Sequence, residues 1–136
     1  MRAPSKKKKI PFEFVLEQLI LLDPIVKQMF GCHAIYVGDK IVLILRHRED
    51  HPLDNGVWVA TMAAHHSSLK KEFPSIRSID LLGNGATNWQ VIPLDADDFE
   101  EEVIHACELI LRRDERIGTI PKSKKKGRST GRDPSV

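Results

Sequence analysis

Cysteine is scarce in this chain: Cys32 and Cys107 are the only two. They show no CxxC spacing, which excludes a disulfide scaffold and points to a reducing compartment, the cytoplasm. No uninterrupted apolar run is long enough to span a bilayer. The apolar stretch Ile10–Leu22 is broken by Glu13, Glu17 and Gln18, and no small-residue cleavage site follows it, which argues against a secretory leader and a membrane partner. The phosphate-loop spacings GxxxxGK[ST] and GxGxxG are missing, as are HExxH and GxSxG. Ser67-Ser68 therefore has no nucleophile context, and Gly83-Asn84-Gly85 reads as a turn between strands. The six histidines, His33, His47, His51, His65, His66 and His105, follow no metal-ligand spacing, and adjacent His65 and His66 point in different directions on any regular element. No metal, cofactor or catalytic residue is expected, and an enzyme with a small-molecule pocket ranks last among the functional classes.

What is present is a segregation of charge. The 136 residues carry a net charge of +2. Residues 1–9 contribute five basic residues, Arg2 and Lys6 to Lys9. Residues 122–136 contribute six basic residues against Asp133, a net of +5. The body, 10–121, holds 10 basic and 18 acidic residues and is therefore −8. Two basic tails of low complexity, expected to be disordered in isolation, flank an acidic body. Lys6, Lys7, Lys8, Lys9, Lys124, Lys125, Lys126 and Arg128 are the candidate nucleic-acid contacts. Lysine clusters neutralise phosphates without reading sequence, and no interleaved aromatic is there to stack bases.

The body carries the fold signals of an α+β domain. A first helix is predicted from Pro11 to about Leu22, where Asp23-Pro24 stops it. Residues 25–29 read as a connector, either a strand or a helical turn. The stretch Met29–Leu45 reads as two apolar strands joined by a tight turn at Gly38-Asp39, a hairpin. Val57–Met62, Ile79–Leu82 and Trp89–Pro93 read as further strands, and Ser67–Phe73 as a short helix ended by Pro74. The terminal helix is the clearest element: Asp97 and Glu100 stand in capping-box position, acidic residues 97–102 complement its dipole, and Phe99, Val103, Cys107, Ile110 and Leu111 form an apolar stripe with Ile104 beside it. The expectation is a single domain with a mainly antiparallel sheet of about five strands, packed by its N- and C-terminal helices.

Met29-Phe30-Gly31 precedes a strand bearing Tyr36, a glycine turn at Gly38, and then an apolar strand beginning after Lys40. That order, with Trp89 before a final helix, resembles the N-terminal domain of the TfoX competence-regulator family and the related YjbR-like proteins, over roughly residues 12–120. The resemblance implies a non-catalytic regulatory module. It makes Met29, Phe30, Gly31, Tyr36 and Gly38 motif residues, for which core packing and a close backbone turn are expected. The alternative is a protein–protein interaction module whose acidic body meets a protein partner or a second copy of the chain.

Overall fold

The structure is a computed structural model that describes residues 10–80 and 88–121. The basic tails, with Lys6–Lys9, Lys124–Lys126 and Arg128, and the turn at Gly83-Asn84-Gly85 lie outside the described residues.

The chain forms one α+β domain around a six-stranded antiparallel sheet of order β1-β2-β3-β4-β6-β5. The strands are β1 (Ile25–Met29), β2 (Cys32–Val37), β3 (Lys40–Arg46), β4 (Gly56–Ala60), β5 (Arg77–Ser78) and β6 (Trp89–Pro93). The helices are α1 (Phe14–Gln18), α2 (His66–Glu72) and α3 (Phe99–Leu111). The count is one above the expected five because residues 25–29 are a true strand, paired from Ile25 opposite Tyr36 to Met29 opposite Cys32.

Two hairpins organise this half of the sheet. The expected one has Gly38 at φ +60 between Val37 and Lys40, and open space around the position a Cβ would take. Glycine is needed there for its backbone conformation alone. The second joins β1 to β2 through Phe30 and Gly31, both at positive φ, the pattern of a type I′ turn.

The first helix is shorter than its periodicity suggested. It runs only from Phe14 to Gln18 and relaxes into a 3-10 turn at Ile20–Leu22, after which Asp23 takes a left-handed conformation. Val15 and Leu19 are fully buried, and Phe12, Phe14, Leu16 and Leu22 pack partly buried against the same core, while Ile20 and Leu21 are exposed. The terminal helix begins at Phe99 with Asp98 as its N-cap and no side-chain cap bond, so the Asp97/Glu100 capping box does not form. Its apolar stripe is as expected at Phe99, Val103, Cys107 and Ile110. Glu102 departs from the solvated acidic face: it is buried and accepts a bond from the Ser75 amide at 3.3 Å.

Helices α1 and α3 share one face of the sheet, where Ile35, Leu43, Leu45, Val57, Val59 and Ile92 meet Val15, Leu19, Val103 and Ala106. On the other face Cys32, Ala34, Tyr36, Ile44, Trp58, Ala60 and Val91 form a second apolar cluster with Ile41 and Ile79. No helix of the described residues is long and apolar enough to cross a membrane.

Candidate binding cleft

Recessed surface borders both faces of the sheet: a hollow of about 910 Å³ lies between the 10–13 segment, His33, Leu45 and the 47–50 loop, and two more lie on the second face. A cavity of about 440 Å³ opens over Cys32, Ile44, Trp58, Ile79 and Trp89, with Met29 and Phe30 along the β1–β2 side and Arg46, Arg48 and Asp50 at one end. A neighbouring hollow of about 690 Å³ shares Met29 and Trp89 and continues past Tyr36, Ile41 and Thr61 toward the C-terminal segment 118–121. Both lie within the usual size range of small-ligand sites.

The polar end is built by the loop that leaves β3. Arg46 is 1% exposed, a position an arginine tolerates only with its donors satisfied. Its Nη1 donates to His51 O and Asn55 Oδ1, both at 2.9 Å. Its Nη2 donates to Asp50 O at 2.8 Å and reaches Asp50 Oδ2 at 3.5 Å. Asn55 completes the loop by accepting from the Arg48 amide and donating to the Arg48 carbonyl, each at 2.8 Å. Arg46 is thus the internal strut that shapes residues 46–55.

Arg48 plays a different part. Its Nε donates to Asp50 Oδ1 at 2.7 Å, and its side chain is 34% exposed. The terminal guanidinium nitrogens find no acceptor among the described residues. The guanidinium lies against Gly31: a Cβ there would meet Nη1 at 1.7 Å. Gly31 is therefore required twice, for its φ of +78 and for the space Arg48 occupies. The bond from Arg48 holds the Asp50 carboxyl below the ordinary carboxylate range.

The floor is aromatic. Trp58 and Trp89 sit on adjacent strands with ring centroids 5.9 Å apart at 55°. The Trp58 indole donates to Asp54 O at 2.9 Å. Asp54 is itself buried; its carboxylate receives the Asp80 amide at 2.9 and 3.0 Å and the Arg77 guanidinium at 3.2 Å, tying the 52–54 turn to the β5 side of the sheet. Burial pushes the Cys32 thiol up, opposed by the nearby Arg46 and Arg48 charges, and its Sγ lies 3.7 Å from Phe30 O. Cys107, on the buried face of α3, is pushed up by burial to about 12. Both cysteines are free and protonated at neutral pH.

Among the described residues, no group of three His, Cys, Asp or Glu side chains is placed to hold a metal. The histidines are dispersed: His105 bridges Glu72 and Glu108, His47 stacks on Phe12, and His33 is buried in β2 opposite Leu45.

The motif residues divide. Met29 packs against the second cluster as expected. Tyr36 is buried on the same face with the Lys27 ammonium 4.9 Å from its ring. Gly38 lies at the other end of β2, in its turn. Phe30 corrects the expectation of core packing: it is 91% exposed, because a side chain at the tip of a two-residue hairpin points away from both strands. Sequence reasoning passed over Arg46, Arg48, Asp50, Asn55 and Trp58. The readable signal was the charged run Arg46–Asp50 directly after an apolar strand, which returns it to the Met29-Phe30-Gly31 hairpin.

Comparison of the chain with protein-family models, with curated proteins and with solved structures found no match in any of the three.

Proposed function

We propose that this protein is a non-catalytic regulatory module of the cytoplasm that contacts nucleic acid through its basic tails, the role implied by the resemblance to TfoX N-terminal domains. The observation that carries this reading is the charge segregation, −8 in the body against +5 in each tail. The body places Asp97, Asp98, Glu100 and Glu101 exposed at the start of α3, a surface that repels a polyanion. Contact with phosphate therefore falls to Lys6–Lys9, Lys124–Lys126 and Arg128. The same acidic surface favours the second reading, an interaction module for a basic protein partner.

Titration of the intact chain against duplex DNA and RNA at increasing salt tests the first reading. Weak binding with little sequence preference is expected, falling about tenfold or more between 50 and 200 mM salt as counterions are released. Changing Lys6–Lys9 and Lys124–Lys126 to Gln should abolish it. Binding that survives those changes, or a flat salt dependence, moves the interface onto the body. No binding even at low salt leaves the interaction-module reading in its place.

A further inference from the structure

We propose that the cleft on the sheet face opposite α1 and α3 binds a small amphipathic anion, a carboxylate carried on an apolar body, with Arg48 receiving the carboxylate and Trp58 and Trp89 the body. Three separate observations converge on it. The first is shape and lining: about 440 Å³ of recessed space with an apolar, aromatic floor and its charged groups at one end.

The second is charge complementarity. Arg46 is spent on the loop, with four contacts and 1% exposure. Arg48 has only its Nε engaged, and that bond to Asp50 fixes the plane of the guanidinium against Gly31. Its terminal nitrogens find no acceptor among the described residues, and the side chain borders both this cleft and the hollow of about 910 Å³ beyond Gly31. With Nε engaged, the end-on Nη1/Nη2 edge of this planar fork, at the end of an apolar cleft, matches a carboxylate in bidentate geometry. Within the lining two guanidiniums face one carboxylate, so the polar end carries a net positive charge.

The third is the rim. Phe30 sits at φ +53, in a turn position that favours Asn, Asp or Gly, and presents its ring to solvent at 91% exposure. Backbone strain and an exposed aromatic coincide at one residue, and that residue forms a wall of the cleft. An apolar body lying between Phe30 and the tryptophans would cover the ring.

The chain has two tryptophans, and both line this cleft, so intrinsic fluorescence reports its occupancy directly. The intact protein is titrated with octanoate, 1-octanol and octylamine. Octanoate should give a saturable emission change, with octanol at least about fivefold weaker and octylamine weaker still. Arg48→Met should bring octanoate down to the level of octanol without altering octanol binding or the melting temperature, and Arg48→Lys should restore part of the preference. Phe30→Asn should weaken octanoate and octanol together while raising the melting temperature. Equal binding of octanoate and octanol, or a preference that survives Arg48→Met, overturns the anion assignment; absence of any saturable response overturns the site. None of these outcomes bears on the tails, which the salt titration of nucleic-acid binding tests separately.

Discussion

The two faces of this sheet are both apolar and both largely withdrawn from solvent, yet they are built differently. On one, Leu43, Leu45, Val57 and Val59 interlock with aliphatic side chains from α1 and α3, and many of these residues have no measurable exposure. On the other, Trp58, Trp89, Met29 and Ile44 lie beneath open volume, and the charged groups at its edge come from a loop braced by a buried arginine. A face packed by helices reaches interior density, where each methylene matters. The other face is bordered by a loop and a hairpin turn, and an exposed rim aromatic such as Phe30 is tolerated there. The contrast is between a face buried by helices and one bordered by a loop and a hairpin turn.

The largest effect expected from breaking this contrast comes from paired truncations. Leu43→Ala, on the helix-packed face, should cost about 3–4 kcal/mol in denaturant unfolding, whereas Met29→Ala, beside the cleft, should cost about 1 kcal/mol or less. Equal costs would show that the two faces are packed alike. Next come the two arginines of the polar end. Arg46→Met strands Asp50 O and His51 O and should cost roughly 2–3 kcal/mol, while Arg48→Met should stay within about 0.5 kcal/mol of the parent. A large loss at Arg48 would make it a second strut rather than a group held ready for a ligand.

The hairpins give a comparison of opposite sign. Gly38→Val forces a β-branched residue to φ +60 and should cost roughly 1–3 kcal/mol. Phe30→Asn places a residue suited to the left-handed region at φ +53 and should stabilise by about 0.5–1 kcal/mol. Unchanged unfolding in both variants would argue against the turn geometry.

An effect of similar small size lies far from the cleft, where α2, α3 and the C-terminal segment are pinned together. Arg116 contacts Glu72 at 2.7 Å and Asp114 at 2.8 Å. The hydrogen bond from Arg116 holds the Asp114 carboxyl down from 3.8 to about 2. A carboxyl with a lowered folded-state pKa stabilises above its unfolded value and loses that contribution as pH falls. The loss should therefore run from about pH 4 to about pH 2. Because the pair is near solvent, about 1 kcal/mol is at stake. Asp114→Asn should flatten that part of the acid stability curve, and an unchanged curve would remove Asp114 from the account.

How much of this was legible depends on the range of the forces involved. The β2–β3 hairpin, β6 and α3 could be read because their signals are local: a glycine turn between apolar runs, a proline stop, and a 3.6-residue stripe. Residues 25–29 were ambiguous because Ile25-Val26-Lys27-Gln28-Met29 has no decisive period; pairing with β2 settles it as a strand. The capping box at Asp97 and Glu100 was a valid local pattern, but Ala96 O accepts from the Phe99 amide in the preceding turn and the helix starts one residue later. The unbroken apolar run Ile41–Leu45 did carry a hint of the cleft, since a strand covered on one face alone alternates.

The sequence by itself determined the α+β class, the antiparallel hairpin at Gly38, the apolar stripe of α3 and the charge contrast between tails and body. Each follows from residue type and short spacing. Only the tertiary structure decided that Arg46 is buried and Arg48 left with free donors, that Gly31 makes room for a guanidinium, and that Phe30 stands at the rim of a cleft floored by Trp58 and Trp89. Those facts depend on which distant strands become neighbours, and in a sheet one step of register moves every side chain to the opposite face.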